Sequence, residues 1–244
     1  MTTDPLRAVP VLVTDAGPRL DYYLVLPPLG DRDPGTTVEG IVVEEFTRHH
    51  DFSTTGLGSA GWTPETGWWS SAALSRGMRT DPEVLARVVP TSRREAENVY
   101  RARGGGQLPD ESVLRTHFLD HQPIAIAPPL RLGPAQASAG FHERRVYRVL
   151  FAGDLRAEPV ASLRTAWRTP AGGTSTAAAS GRLDRGLDRI TWDLRRVGGR
   201  LAWGLDVRVL LGTDAADTVG STLTDLTNVL REYGLIPVTT ERFS

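Results

Sequence analysis

The sequence predicts an α+β protein in which a C-terminal ferredoxin-like β-α-β-β-α-β unit packs with an N-terminal α+β part. Three observations predict it. Residues 190–197 and 200–211 alternate apolar and polar side chains across Gly198-Gly199, the signature of a hairpin. Residues 215–233 carry Val219, Leu223, Leu226, Leu230 and Tyr233 on one helical stripe that closes at Gly234. An apolar run at 145–151 precedes a helical pattern, and another at 235–240 follows the second helix, which completes the alternation.

Taken in order, Val9–Val13 and Leu20–Leu26 around Ala16-Gly17-Pro18 read as a hairpin, and Val38–Phe46 as a third strand. Residues 53–71, rich in Gly, Ser, Thr and Trp, read as a long structured loop. Helical signals follow. Asp81 precedes Pro82 as cap and first position, Ser92 with Glu95 forms a capping box for 93–103, and Pro109-Asp110 opens a helix reaching His121. Residues 123–127 read as a strand, and the small-residue segment 131–142 as a boundary.

The reading therefore divides the chain into 1–130, with a hairpin, a third strand and three short helices, and 143–244, the two sharing one core. In the second part, Glu158-Pro159 opens a helix with Val160, Leu163 and Trp167 on one face, and 169–188 reads as a low-complexity loop. Side-chain parity puts Leu201, Trp203, Leu205, Val207, Val209 and Leu211 on a face covered by two helices. The other face carries Asp193, Arg195, Asp206 and Arg208, and the last strand, with Pro237, belongs at a sheet edge.

Composition excludes a good deal of chemistry. The 244 residues include 28 basic and 29 acidic side chains, a net charge of -1, no cysteine and no lysine. Without cysteine there is no thiol nucleophile, thiolate-bound zinc, iron–sulfur cluster or disulfide. Without lysine, Schiff-base enzymes, P-loop nucleotidases and protein kinases are excluded, because a guanidinium is neither a tunable amine nor a nucleophile. The near-neutral balance argues against nucleic acid as a partner, and no stretch reads as a membrane span or a signal peptide. The absence of cysteine fits either a reducing cytoplasm or a cysteine-poor exported protein, the lack of a signal favours the cytoplasm, and no cofactor is expected.

Four constellations could carry function. Gly56-Leu57-Gly58-Ser59-Ala60-Gly61 matches the dinucleotide fingerprint, but Pro64 and Gly67 prevent the helix that the phosphate site needs, so it reads as a flexible loop. His117, Asp120 and His121 resemble a zinc pattern with Asp in place of Glu. Such a site would need a third ligand such as His142 or Glu143, and the alternative is a pair of histidines packed at a helix C-terminus. His49, His50 and Glu45, with Glu44 and Asp51 beside them, offer acid–base groups; on a strand Glu44 and Glu45 point to opposite faces, and a solvated edge is expected. Trp62, Trp68 and Trp69 with Arg195 and Arg208 offer a surface for a protein partner, and the alternative for the tryptophans is a loop pinned onto the core by its aromatic rings.

The expected function is a non-catalytic adaptor, immunity-type or accessory protein that binds another protein. The rivals are a metal- or histidine-dependent enzyme or small-ligand binder, and an RNA-binding ferredoxin-like protein. The last would need aromatics on the open sheet face, where parity puts mixed charge.

Overall fold

A computed structural model describes residues 19–28, 30, 37–125, 137, 139–169, 176–198, 202–214 and 216–243. Among these residues it is a mixed helix-and-sheet structure with two antiparallel sheets and six helices. The expected strand Val9–Val13, the turn before Arg19, most of the boundary segment, and Leu201 lie outside the described residues.

The first sheet contains β1 (Asp21–Val25), β2 (Gly40–Arg48), β3 (Thr54–Thr63), β4 (Gly67–Ser70), β5 (Val88–Thr91) and β6 (Gln122–Pro123). Its order is β4-β3-β2-β1-β5, with β6 added to β3. β1 is therefore flanked by β2 and β5. Interleaved with these strands are α1 (Ala72–Thr80), α2 (Pro82–Leu85), α3 (Arg93–Ala102) and α4 (Glu111–Arg115).

The caps act as their residue types require. Asp81 accepts a hydrogen bond from the Glu83 N–H at 2.9 Å, and Ser92 with Glu95 closes a reciprocal capping box. α4 ends at Arg115, short of the helix expected to reach His121. It is over within one turn because Thr116, His117 and Phe118 take short turn bonds instead of continuing the ladder.

The expected loop at 53–71 is instead the hairpin β3–β4. Its glycines gave no strand signal because the positions a side chain would fill are taken by rings from elsewhere. A Cβ on Gly58 would lie 2.8 Å from the Phe118 ring, and one on Gly61 2.5 Å from the Trp69 ring.

The second sheet has the order β11-β7-β10-β9-β8, all antiparallel. Its strands are β7 (Glu143–Ala152), β8 (Ala179–Arg185), β9 (Asp188–Val197), β10 (Ala202–Leu211) and β11 (Ile236–Arg242), with α5 (Ala157–Ala166) and α6 (Asp217–Glu232) between them. β8 occupies part of the stretch expected to be a loop. Small Ala179 and Gly181 hide its alternation, and Gly181 is required where the Trp192 ring covers it. β11 lies at an edge, with a bulge after Pro237.

Three apolar clusters place the layers. Trp203, Leu205, Val207, Val209 and Leu211 are buried with Tyr147, Val149, Ile190 and Leu194, against Leu163 of α5 and Val219, Leu223, Leu226 and Leu230 of α6. Tyr22, Ile41, Val43, Ala60 and Trp62 face Ala96 and Tyr100 of α3 and Leu114 of α4. Tyr23, Val25 and Val42, on the other face of the same sheet, meet Met78 of α1 and Ile236 of β11. The first sheet is thus packed on both faces, and residues of both halves share the third cluster.

Candidate functional site

Alternation along β8, β9 and β10 divides the second sheet into an apolar face under α5 and α6 and a charged face away from them. On the charged face Asp206 lies opposite both Arg148 and Asp193, and Arg195 and Arg208 flank that row. Arg148 donates to Asp206 Oδ1 at 2.6 Å and Arg195 Nε to Oδ2 at 2.8 Å. Arg208 Nη1 donates to Asp193 Oδ2 at 2.7 Å. Burial raises the Asp206 carboxyl, but hydrogen bonds and charge from Arg148 and Arg195 outweigh it and hold the group below its ordinary range.

This face is closed at one side and open at the other. Toward β11, Val146 and Phe243 are buried, and the Arg148 guanidinium lies 5.2 Å from the Phe243 ring centre. The hydrophobic Val146 thus finds cover in β11's own continuation. Toward β8 the charges emerge: the Asp206 side chain is 8% exposed, Arg195 39% and Arg208 47%. Each arginine keeps one carboxylate partner and turns further donors to water, so the surface is polar, patterned and held by a rigid sheet.

The three tryptophans expected to form one surface are divided by the first sheet. Trp62 is buried, with its ring 4.4 Å from that of Tyr100. Trp68 pairs with Trp62 across the strands, donates its indole N–H to Tyr100 at 3.4 Å and stacks on His117 at 5.9 Å. Trp69, one residue on, falls on the opposite face, over Gly61. Trp62 is therefore a core residue, while Trp68 and Trp69 are half-buried.

The histidine and acid candidates separate in the same way. Glu44 and Glu45 point to opposite faces, as parity requires, yet neither lies on a solvated edge. Glu45 is gripped by Arg115 through two bonds of 2.9 Å, and Glu44 is fully buried on Arg79 at 2.6 and 2.9 Å, with Ser75 as a further donor. His49 lies 3.4 Å from Asp51, and its ring is 3.9 Å from that of His50. Asp51 is occupied by Ser53, whose hydroxyl and N–H donate at 2.6 and 3.0 Å.

In the zinc-like segment, His117 stacks on Trp68, Asp120 accepts from Ser70 at 2.7 Å, and His121 lies against Gly56. His142 pairs with Asp214 instead of joining them. Among the described residues, no group of three or more His, Cys, Asp or Glu side chains is placed to hold a metal. No helix among them is long and apolar enough to cross a membrane.

The ionic junction between the halves has no counterpart among the motifs of the sequence. Arg79 Nε donates to the Pro237 carbonyl at 2.9 Å while its other nitrogens hold Glu44. Arg231 of α6 pairs with Asp21 at 2.9 Å, donates to the Tyr22 carbonyl at 3.0 Å and lies 5.1 Å from the centre of the Tyr23 ring. Burial raises the Asp21 carboxyl despite Arg231, and burial likewise raises the Tyr23 phenol. No local pattern marks these residues, since the partners are far apart in sequence.

Comparison with family models, with curated proteins and with solved structures finds no match to this chain.

Proposed function

We propose that the protein is a non-catalytic accessory protein of the cytoplasm that binds another protein through the charged face of its second sheet. One observation carries this reading: Arg195 and Arg208 stand half-exposed on a rigid sheet, each already oriented by a carboxylate. Forked donors held in place lose little entropy when they meet acidic or carbonyl groups of a partner. The half-buried Trp68, supported by Tyr100 and His117, is a second contact of the kind interfaces use, on the other sheet.

The order β11-β7-β10-β9, with α5 after β7 and α6 after β10, supports a ferredoxin-like unit to which β8 adds an edge strand. Such a unit leaves one sheet face without helices of its own, and the part of that face toward β8 is the one assigned to the partner.

The test is capture of a protein partner by the untagged chain, followed by the Arg195→Glu/Arg208→Glu variant. The expected result is a discrete partner that the wild-type chain retains and the folded double variant loses. Retention by both, with unchanged affinity, would overturn the assignment of this face.

A further inference from the structure

Among the described residues, the edge strand β8 has one ladder partner, β9. Its backbone directions follow from its start: the Ser180 N–H donates to the Thr169 hydroxyl at 3.0 Å, and that hydroxyl donates to the Ser180 carbonyl at 2.9 Å. Ser180 therefore turns its peptide groups away from β9. By strand alternation, Arg182 and Asp184 do the same. The ladder agrees from the far edge, where the Phe243 N–H donates to the Val146 carbonyl, and the alternation carried through β7, β10 and β9 leaves the even residues of β8 pointing outward. Thr169 occupies the first outward position; Arg182 and Asp184, both exposed, are the next two.

We propose that this edge pairs with β8 of a second copy of the chain, antiparallel, about a two-fold axis through Leu183. In that register Arg182 exchanges both backbone hydrogen bonds with the partner's Asp184, and Asp184 with the partner's Arg182. Directly paired residues share a face, so each guanidinium stands opposite a carboxylate, twice by symmetry. Arg182 and Asp184 already associate at 2.7 Å within one strand, so the charges on the edge are ordered before the copies meet. Leu183, on the helix-covered face and partly buried against the main core, meets its own symmetry mate.

The neighbouring registers that keep outward groups opposed are closed by charge. An axis at Arg182 sets arginine against arginine, and one at Asp184 sets aspartate against aspartate. Charged edges ordinarily block strand addition. Here they oppose the two neighbouring registers and favour the one between them. The available edge is short, because Thr169 and α5 take its first part, so the association is weak and is favoured by concentration. Arg195 and Arg208 lie on inner strands, so this inference stands or falls separately from the partner-binding reading.

The experiment is sedimentation of the full chain from about micromolar to about millimolar concentration. The wild-type chain is expected to form dimers reversibly. Arg182→Asp and Asp184→Arg, each alone, are expected to weaken self-association by about tenfold or more, since like charges then face one another twice. An equimolar mixture of the two variants is expected to recover dimers, because each then opposes its complement, an outcome that a change within one strand does not produce. Arg182→Pro, which removes an outward N–H and leaves the β9 ladder intact, is expected to be a folded monomer. A wild-type chain that stays monomeric throughout, or variants that dimerise singly as well as mixed, would overturn the proposal.

Discussion

The two sheets use the same chemistry, arginine against carboxylate, in opposite settings. In the first sheet, packed on both faces, Glu44 is fully buried and its pairing with Arg79 ties β2 to α1 and, through the Pro237 carbonyl, to β11. In the second, Asp206 gathers Arg148 and Arg195 on a face that opens to solvent toward β8, where Arg195 is 39% exposed. A buried pair serves the junction because neither member can be lost without stranding the other. A half-open network can exchange partners, which a docking surface requires.

The sharpest break of this comparison is Arg79→Ala. Stranding the Glu44 carboxylate should cost about 3–5 kcal/mol of stability in urea unfolding, and Glu44→Leu/Arg79→Met should recover most of it. A cost below about 1 kcal/mol would mean that water reaches the junction and that the two settings are alike.

Next in size is Gly61→Ala, where the new Cβ would meet the Trp69 ring at 2.5 Å. A loss of about 1–3 kcal/mol with altered tryptophan emission is expected from overpacking. An unchanged protein would mean that the β3–β4 hairpin is as yielding as a loop.

The pH dependence should separate the two carboxylates by sign. Asp206 is held low by its arginines, so it contributes stability above its ordinary titration range and loses it as pH falls through the depressed value. Asp206→Asn should cost about 1–2 kcal/mol near neutrality, and the gap to wild type should close in acid below about pH 4. Asp21 is raised by burial, so its contribution is greatest when protonated and declines as pH rises through the folded value. The difference between wild type and Asp21→Asn should therefore move in favour of the wild type on acidification. Parallel behaviour of the two variants would remove the distinction.

The smallest effect is expected at Arg208→Ala, whose half-exposed pair with Asp193 should contribute no more than about 0.5–1 kcal/mol to stability. A large loss there would make the open face structural rather than a surface kept for a partner.

The legibility of the chain differs by region for the same reason. The capping box at Ser92–Glu95, the alternation of β9 and β10 and the stripe of α6 were readable, because each is decided by residues a few positions apart. The short strand β5, the glycine-rich β3 and the small-residue β8 were not, because each owes its place to a neighbouring strand or to a ring from elsewhere. The candidate site was legible in part. Parity placed Arg195, Asp206 and Arg208 on one face, but it could not show that Trp68 and Trp69 fall on opposite sides of the first sheet.

What the amino-acid order determined by itself was periodicity: which side chains share a face of a strand or a helix, since that depends on backbone geometry alone. Tertiary structure decided which faces were covered, which glycines became strand, and which arginine found which carboxylate. Those outcomes depend on contacts between residues as distant as Arg79 and Pro237 or Arg231 and Asp21, and such contacts exist only once the chain has closed on itself.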